Sequence, residues 1–324
     1  MRKFELWISL LLVVVIPGLM LRIFALRQPE MITPESEATN ETQSQKYDEN
    51  LVRILNNDQV LTMPLDEYLC GVLLGEMPAS FHDEALRAQA VAARTYTLRK
   101  LRNTDKHIEA DLCTDTACCQ AYVEPETNES ARKIRNAVDS TAGEVLIYEG
   151  DLIEATYYSC SGGRTEAAVA VWGTDIPYLQ AIDSPWDAGA KYHRDTVVFA
   201  ENELMEKLGL TGTSEEFTYS NITYTDGDGV ESIDICGKQF SGVELRSLLG
   251  LRSTAFTIEK DADTICFTTK GYGHRVGMSQ YGAESMAQQG NTYEEILAYY
   301  YPQTQLITLN ETHLHRLFDK EGNL

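Results

Sequence analysis

The apolar positions of the chain switch between two rhythms. Residues 51–62 alternate weakly and read as a strand pair with Asn56, Asn57 and Asp58 at the turn. From Pro64 the spacing changes. Leu65, Leu69, Val72 and Leu73 recur at helical intervals, and Asp66 and Glu67 fall in the first turn, where the helix dipole favours acids. Met77-Pro78 stops this helix. A second helix is expected over residues 83–101, capped by Ser80 or Asp83. Its middle, ALRAQAVAARTY, is rich in alanine and reads as a buried central helix that its neighbours approach closely. Residues 130–142 form another helical pattern, and EVLIYEGDLIEATYYS reads as a hairpin turning at Glu149-Gly150-Asp151. Short strands then mix with helical stretches at 201–208 and 243–249, and TYEEILAYYY reads as a late helix. The class expected is α+β, a mixed helical and β body over residues 51–324 with a small inserted subdomain around 196–262.

The first 27 residues follow neither rhythm. Residues 6–20 are apolar apart from Ser9, Pro17 and Gly18, with Arg2 and Lys3 before them and Arg22 and Arg27 after. Leu21, Ile23 and Phe24 extend the run toward the roughly 20 residues that span a bilayer. We read residues 1–27 as a single transmembrane helix with its N-terminus in the cytoplasm, because the basic residues lie at that end. A cleaved signal peptide is the alternative, but no small-x-small site stands near residue 26. Residues 28–50 are polar and acidic with two prolines, which suits a linker.

Composition narrows the partners. The net charge of −22 excludes a nucleic-acid binder, which needs clustered Lys and Arg to neutralise phosphates. The balance of 43% hydrophobic and 23% charged residues is that of a globular chain.

Three constellations can carry chemistry. Glu76 sits among Leu73, Leu74 and Met77 at a helix end. Burial there would raise its pKa and keep a proton ready for a poor leaving group; a solvated helix-end glutamate is the plainer reading. Residues 270–283 (KGYGHRVGMSQYGA) interleave glycines with His274, Ser279, Gln280 and Tyr281, offering donors, acceptors and a stacking face. Tyr272 and Tyr281 offer rings for stacking, and His274, Gln280 and Arg94 are further polar candidates. Arg94, if buried, needs a carboxylate partner, and the Leu73–Glu76 turn is the nearest in sequence. The third constellation, His107-(5)-Cys113-(4)-Cys118-Cys119, suits a structural tetrahedral zinc with every position filled by protein. Disulfides are the alternative, although seven cysteines cannot all pair within one chain. Cys160 reads as structural, and Cys70, Cys236 and Cys266 as buried residues or, for the last two, a disulfide.

Taken jointly, DEYLCGVLLGEMPASFHDEALRAQAVAARTY, YYSCSGGRT, ELRSLLGLRSTAF and GYGHRVGMSQYGA resemble the stage II sporulation protein D and amidase-enhancer family over about residues 60–302. The resemblance implies a membrane-anchored lytic transglycosylase facing the space between mother cell and forespore. It would cleave the bond between N-acetylmuramic acid and N-acetylglucosamine in peptide-free peptidoglycan strands and leave a 1,6-anhydro end. The implied partners are a sporulation amidase or endopeptidase and a multi-spanning membrane scaffold, and the implied acid is Glu76. On the largely neutral glycan so implied, Tyr272 and Tyr281 are expected to stack on sugar rings, with His274, Gln280 and Arg94 orienting sugar or Glu76. An alternative within the same family is a non-catalytic, glycan-binding activator of a cell-wall amidase. Two departures matter: Arg275 lies where the family loop commonly has glycine, which strains the loop if that position needs positive φ, and Cys70 and Cys160 stand where ordinary small or apolar residues are expected.

Overall fold

The computed structural model describes residues 51–102, 107–116, 118–210 and 216–309. The anchor expected at 1–27 and the linker at 28–50 lie outside the described residues. Among the described residues no helix is long and apolar enough to cross a membrane. The strand Leu51–Asn56 pairs antiparallel with Gln59–Pro64, and Asn57 and Asp58 adopt positive φ at the turn between them.

Helix α1 (Leu65–Glu76) follows at once and ends at Met77, whose extended backbone is what the next residue, Pro78, requires. Helix α2 (Asp83–Leu101) is capped by neither Ser80 nor Asp83: His82 is the N-cap, its Nδ1 accepting from the Glu84 backbone N–H. Ala85, Leu86, Ala88, Ala90, Val91, Ala92 and Ala93 are all fully buried. Small side chains on every face let α2 pack against α1, α3 (Glu129–Ser140) and the strand Glu144–Tyr148.

The expected hairpin after α3 is shorter than its alternation suggests. Glu144–Tyr148 pairs with Asp151–Leu152 around Glu149 and Gly150, and on its other edge with Gln305–Thr308. Tyr157–Tyr158 instead pairs in parallel with Met278–Ser279, so the chain leaves the hairpin to brace the glycine-rich loop. The short helix α4 (Ala168–Trp172) follows in the chain, ahead of residues 194–270.

A second hydrophobic cluster gathers Phe199, Leu204, Ile233, Leu245, Ile265 and Phe267, among others. It is built on the sheet of Arg194–Ala200, Phe256–Asp261 and Thr264–Lys270, the sheet of Tyr219–Tyr224, Val230–Ile235 and Lys238–Ser241, and helices α5 (Glu201–Lys207) and α6 (Gly242–Leu249). Thr264–Lys270 pairs along the whole of Arg194–Ala200, which carries this cluster past residue 262. Cys236 and Cys266 are free thiols rather than a disulfide.

Helices α7 (Gln280–Gln288) and α8 (Tyr293–Tyr300) return to the first core, where Tyr300 and Tyr301 are buried. Helices and small, mostly antiparallel sheets thus share one α+β body.

Candidate active site

Glu76 is the last residue of α1 and is half-buried, with Leu73 and Met77 buried beside it. Its Oε1 accepts a hydrogen bond from the Ala121 backbone N–H at 2.8 Å. Burial pushes its pKa above the usual carboxylate value, against the lowering effects of the Ala121 N–H and the Gln280 side-chain amide. Gln280 is directed at the carboxylate, yet its Nε2 completes no hydrogen bond of normal geometry among the described residues. The glutamate and the glycine-rich loop therefore meet. The Tyr68, Tyr96 and Tyr157 phenols also lie within electrostatic reach of Glu76.

Two glycines bring Ala121 to this position. A Cβ on Gly71 would lie 2.2 Å from the Tyr122 ring, and one on Gly75 3.0 Å from Ala121. Gly71 also accepts a backbone bond from Val123 at 3.0 Å, so the 120–123 segment lies directly on α1. Gln120 fixes the same segment on its other side, donating to the Tyr157 hydroxyl at 2.7 Å and accepting from the Thr97 hydroxyl at 2.8 Å.

The glycine-rich loop is held as firmly. Cys160 and Tyr272 exchange backbone hydrogen bonds, and the Tyr281 N–H donates to the Ser159 carbonyl. Ser279 is buried and fully occupied: it caps α7 by accepting from the Gly282 N–H and donates to Asp187 Oδ2 at 2.8 Å. In this structure its hydroxyl is thus spent on holding the loop rather than presented at a surface. His274 packs edge-on against Tyr158 and beside Trp172, and its Nδ1 accepts from the Val276 N–H. Burial, with Arg246 adding to it, lowers its pKa to about 4, so the imidazole is neutral and positions the loop.

Tyr272 and Tyr281 do face a common surface. Tyr192 bridges them with ring centroids at 5.3 and 5.9 Å, and Phe81 meets Tyr281 at 5.1 Å. The Arg252 guanidinium lies 4.9 Å from the Tyr192 ring and 5.3 Å from that of Tyr272. The strip runs from the turn after Glu76 outward to Tyr272, which is 42% exposed. Sequence reasoning missed Phe81, Tyr192, Arg252, Tyr157 and Ala121. Their residue types carry no mark, and only the fold brings Ala121 and Tyr157 to the glutamate and Phe81, Tyr192 and Arg252 to the tyrosines of the loop. Glu76 lines neither of two cavities of about 510 and 490 Å³, whose walls include Arg164 and Lys270 in one and Asp83 and Lys133 in the other.

Arg94 lies elsewhere. It is buried, but its guanidinium donates to the Val138, Thr141 and Glu144 carbonyls and pairs with Asp66 Oδ1 at 3.4 Å. Its partners are the C-terminus of α3 and the first turn of α1, so it braces helices and does not orient Glu76. Arg275 does take positive φ, 63°, as the glycine it replaces would. Its guanidinium is buried and compensated by Glu166 at 3.2 Å and by the Gly227 carbonyl at 2.9 Å. Those contacts hold an arginine where glycine would cost less.

The His107, Cys113, Cys118 and Cys119 donor atoms all lie within 4.8 Å of one another. His107 Nε2 is 3.6 Å from Cys118 Sγ and 3.5 Å from Cys119 Sγ, and the two sulfurs are 3.8 Å apart. Metal–sulfur bonds of about 2.3 Å and metal–nitrogen bonds of about 2.0 Å at tetrahedral angles give donor separations close to these. The four residues fit a closed tetrahedral metal just ahead of Gln120 and Ala121. Burial pushes the Cys119 thiol up to about 12, and a cation would have to displace that proton.

The family model described as stage II sporulation protein matches residues 55–148, a stretch containing Glu76 and the cysteine cluster. Stage II sporulation protein D of Bacillus subtilis (strain 168) is 40% identical over 262 residues, covering 77% of this chain and 76% of its own. The same-named protein of Bacillus amyloliquefaciens is 39% identical over 257 residues, covering 76% and 75%. The amidase enhancer of Bacillus subtilis (strain 168) is 34% identical over 297 residues, covering 74% of this chain but 40% of the relative.

Proposed function

Because the chain belongs to the stage II sporulation protein D family, whose members serve sporulation, we propose that it is a lytic transglycosylase acting on peptide-free peptidoglycan strands. The observation that carries this reading is Glu76, a carboxyl group whose pKa burial raises and at which Gln280 of the glycine-rich loop is directed. In the proposed reaction Glu76 donates its proton to the glycosidic oxygen between N-acetylmuramic acid and N-acetylglucosamine, and the C1–O bond breaks. The carboxylate then takes the proton of the muramic C6 hydroxyl as that oxygen bonds to C1, leaving a 1,6-anhydro end. Glu76 finishes as it began, an acid. The Ala121 N–H and the Gln280 amide favour the charged form that exists between the two transfers. Among the described residues no second carboxylate contributes to the Glu76 shift, which suits one group working in both directions. Tyr281, Tyr192 and Tyr272 offer ring faces to successive sugars of a neutral chain, with the buried Phe81 backing Tyr281.

The four donors at His107, Cys113, Cys118 and Cys119 are assigned a structural zinc. When bound, zinc supplies a cross-link that fixes the segment presenting Ala121. The apolar N-terminal run supports a membrane anchor with the catalytic region outside, in the space between mother cell and forespore. A sporulation amidase or endopeptidase and a multi-spanning scaffold are the proposed partners. The likeness to the amidase enhancer favours a second reading, in which the aromatic strip binds glycan and the protein activates an amidase without cutting. Mass spectrometry of peptide-free glycan incubated with the full chain alone separates the two. Anhydro-muramic ends support the enzyme, and unchanged strands support the binder.

A further inference from the structure

A second group of side chains of metal-ligating type shares no residue with the Glu76 contacts or the cysteine cluster. Cys160 Sγ, an Asp187 carboxylate oxygen and a His193 ring nitrogen all lie within 4.8 Å of one another. Asp187 is the centre of the group. Its side chain is wholly buried, and its Oδ2 accepts from the Ser161 N–H at 2.5 Å and the Ser279 hydroxyl at 2.8 Å. Those bonds leave Oδ1 on the side of the remaining two donors, where it completes no hydrogen bond of normal geometry among the described residues, although the Cys160 thiol is directed at this carboxylate. His193 Nδ1, 3.7 Å from Oδ1, completes none either. An ion pair that merely neutralised Asp187 would close to hydrogen-bond distance; this one stands too far apart for that and leaves room for an atom between.

A nucleophile reading of Cys160 with His193 and Asp187 fails on chemistry. The thiol is fully buried, and burial together with the nearby carboxylate pushes it up to about 12, so it supplies no thiolate by itself.

The backbone at all three positions is already fixed. Cys160 is tied at N and O to Tyr272, the His193 carbonyl accepts from the Gly271 N–H, and Asp187 ends the 3₁₀ turn Pro185–Asp187. Preformed donors with an outer shell that orients the carboxylate are what metal ligation requires. His193, with 31% of its side chain exposed, provides the way in from solvent.

We infer that Cys160, Asp187 and His193 bind a divalent cation of borderline softness, zinc above all, with water completing the coordination. Binding replaces the Cys160 S–H bond by a sulfur–metal bond, and the proton leaves to solvent. The metal would join the Tyr157–Tyr158 brace, residues 185–193 and the glycine-rich loop. It would thereby fix Tyr192, the middle ring of the aromatic strip.

Cadmium-113 NMR of the full chain, reduced and exchanged into cadmium, tests this assignment. A resonance in the range of a single-thiolate site is expected, lost in Cys160→Ala and His193→Ala and retained in His107→Ala. In His193→Cys the same resonance should move downfield, as an added sulfur ligand demands. That readout remains available if Cys160→Ala fails to fold. A folded wild-type chain without this resonance, or a resonance that survives His193→Ala, overturns the assignment.

Discussion

At the scale of single residues, Glu76→Gln separates the role of the proton from that of the shape. Glutamine still accepts from the Ala121 N–H, so the turn should stay intact while formation of anhydro ends falls about 10²–10⁴-fold. The substitution also has a stability sign. Burial raises the folded pKa of Glu76, so the native state binds the proton more tightly than the unfolded chain does, and stability falls as pH rises through that window. Glu76→Gln should therefore be more stable than wild type above the raised pKa, with the difference vanishing below the unfolded value. Thermal unfolding across pH checks this, and a variant no more stable than wild type at neutral pH would contradict the raised value. The burial of Glu76 was legible in the sequence because a carboxylate between leucines and methionine is conspicuous, whereas its role as the acid came from the family resemblance. Arg94 was misplaced, since helical spacing along one chain cannot show that its partners are the carbonyls of α3.

At the scale of elements, the segment after the cysteine cluster is the part that must be held. Gly71→Ala places a methyl group against the Tyr122 ring and should shift residues 120–123 away from α1. The expected cost is about 1–3 kcal/mol of stability together with loss of the Ala121 contact. Chemical denaturation gives the first quantity, and the second should appear as reduced activity beyond the loss of folded protein. Chelation under reducing conditions should lower the melting temperature and raise hydrogen exchange in residues 107–122. Unchanged exchange there would remove the metal from the account of Glu76. The helices were legible through apolar spacing, proline stops and acidic first turns. The 144–159 hairpin was not, because its alternation continues through Tyr157–Tyr158, and only a strand distant in sequence claims those two residues.

At the scale of the whole molecule, Arg275 links the glycine-rich loop to the second cluster. Its partner Glu166 also accepts from the Thr225 hydroxyl at 2.6 Å, and the Gly227 carbonyl completes the joint. Arg275→Ala leaves the Glu166 charge buried and unpaired and should cost about 3–5 kcal/mol. The double variant Arg275→Gly with Glu166→Gln should recover much of that loss, because glycine accepts positive φ and no charge is stranded. Equal instability of the single and double variants would show that the pair does not bear the joint. The sequence showed the mismatch of an arginine at a glycine position; its compensation lies more than a hundred residues away and becomes visible only in the fold. Direct evidence for the mechanism would come from carbon-13 NMR titration of the Glu76 carboxyl carbon, identified by its absence in Glu76→Gln. The account predicts a midpoint above the ordinary 4.5, matching the alkaline limb of the rate profile on peptide-free glycan. A midpoint at or below 4.5 would mean that Glu76 carries no proton to give.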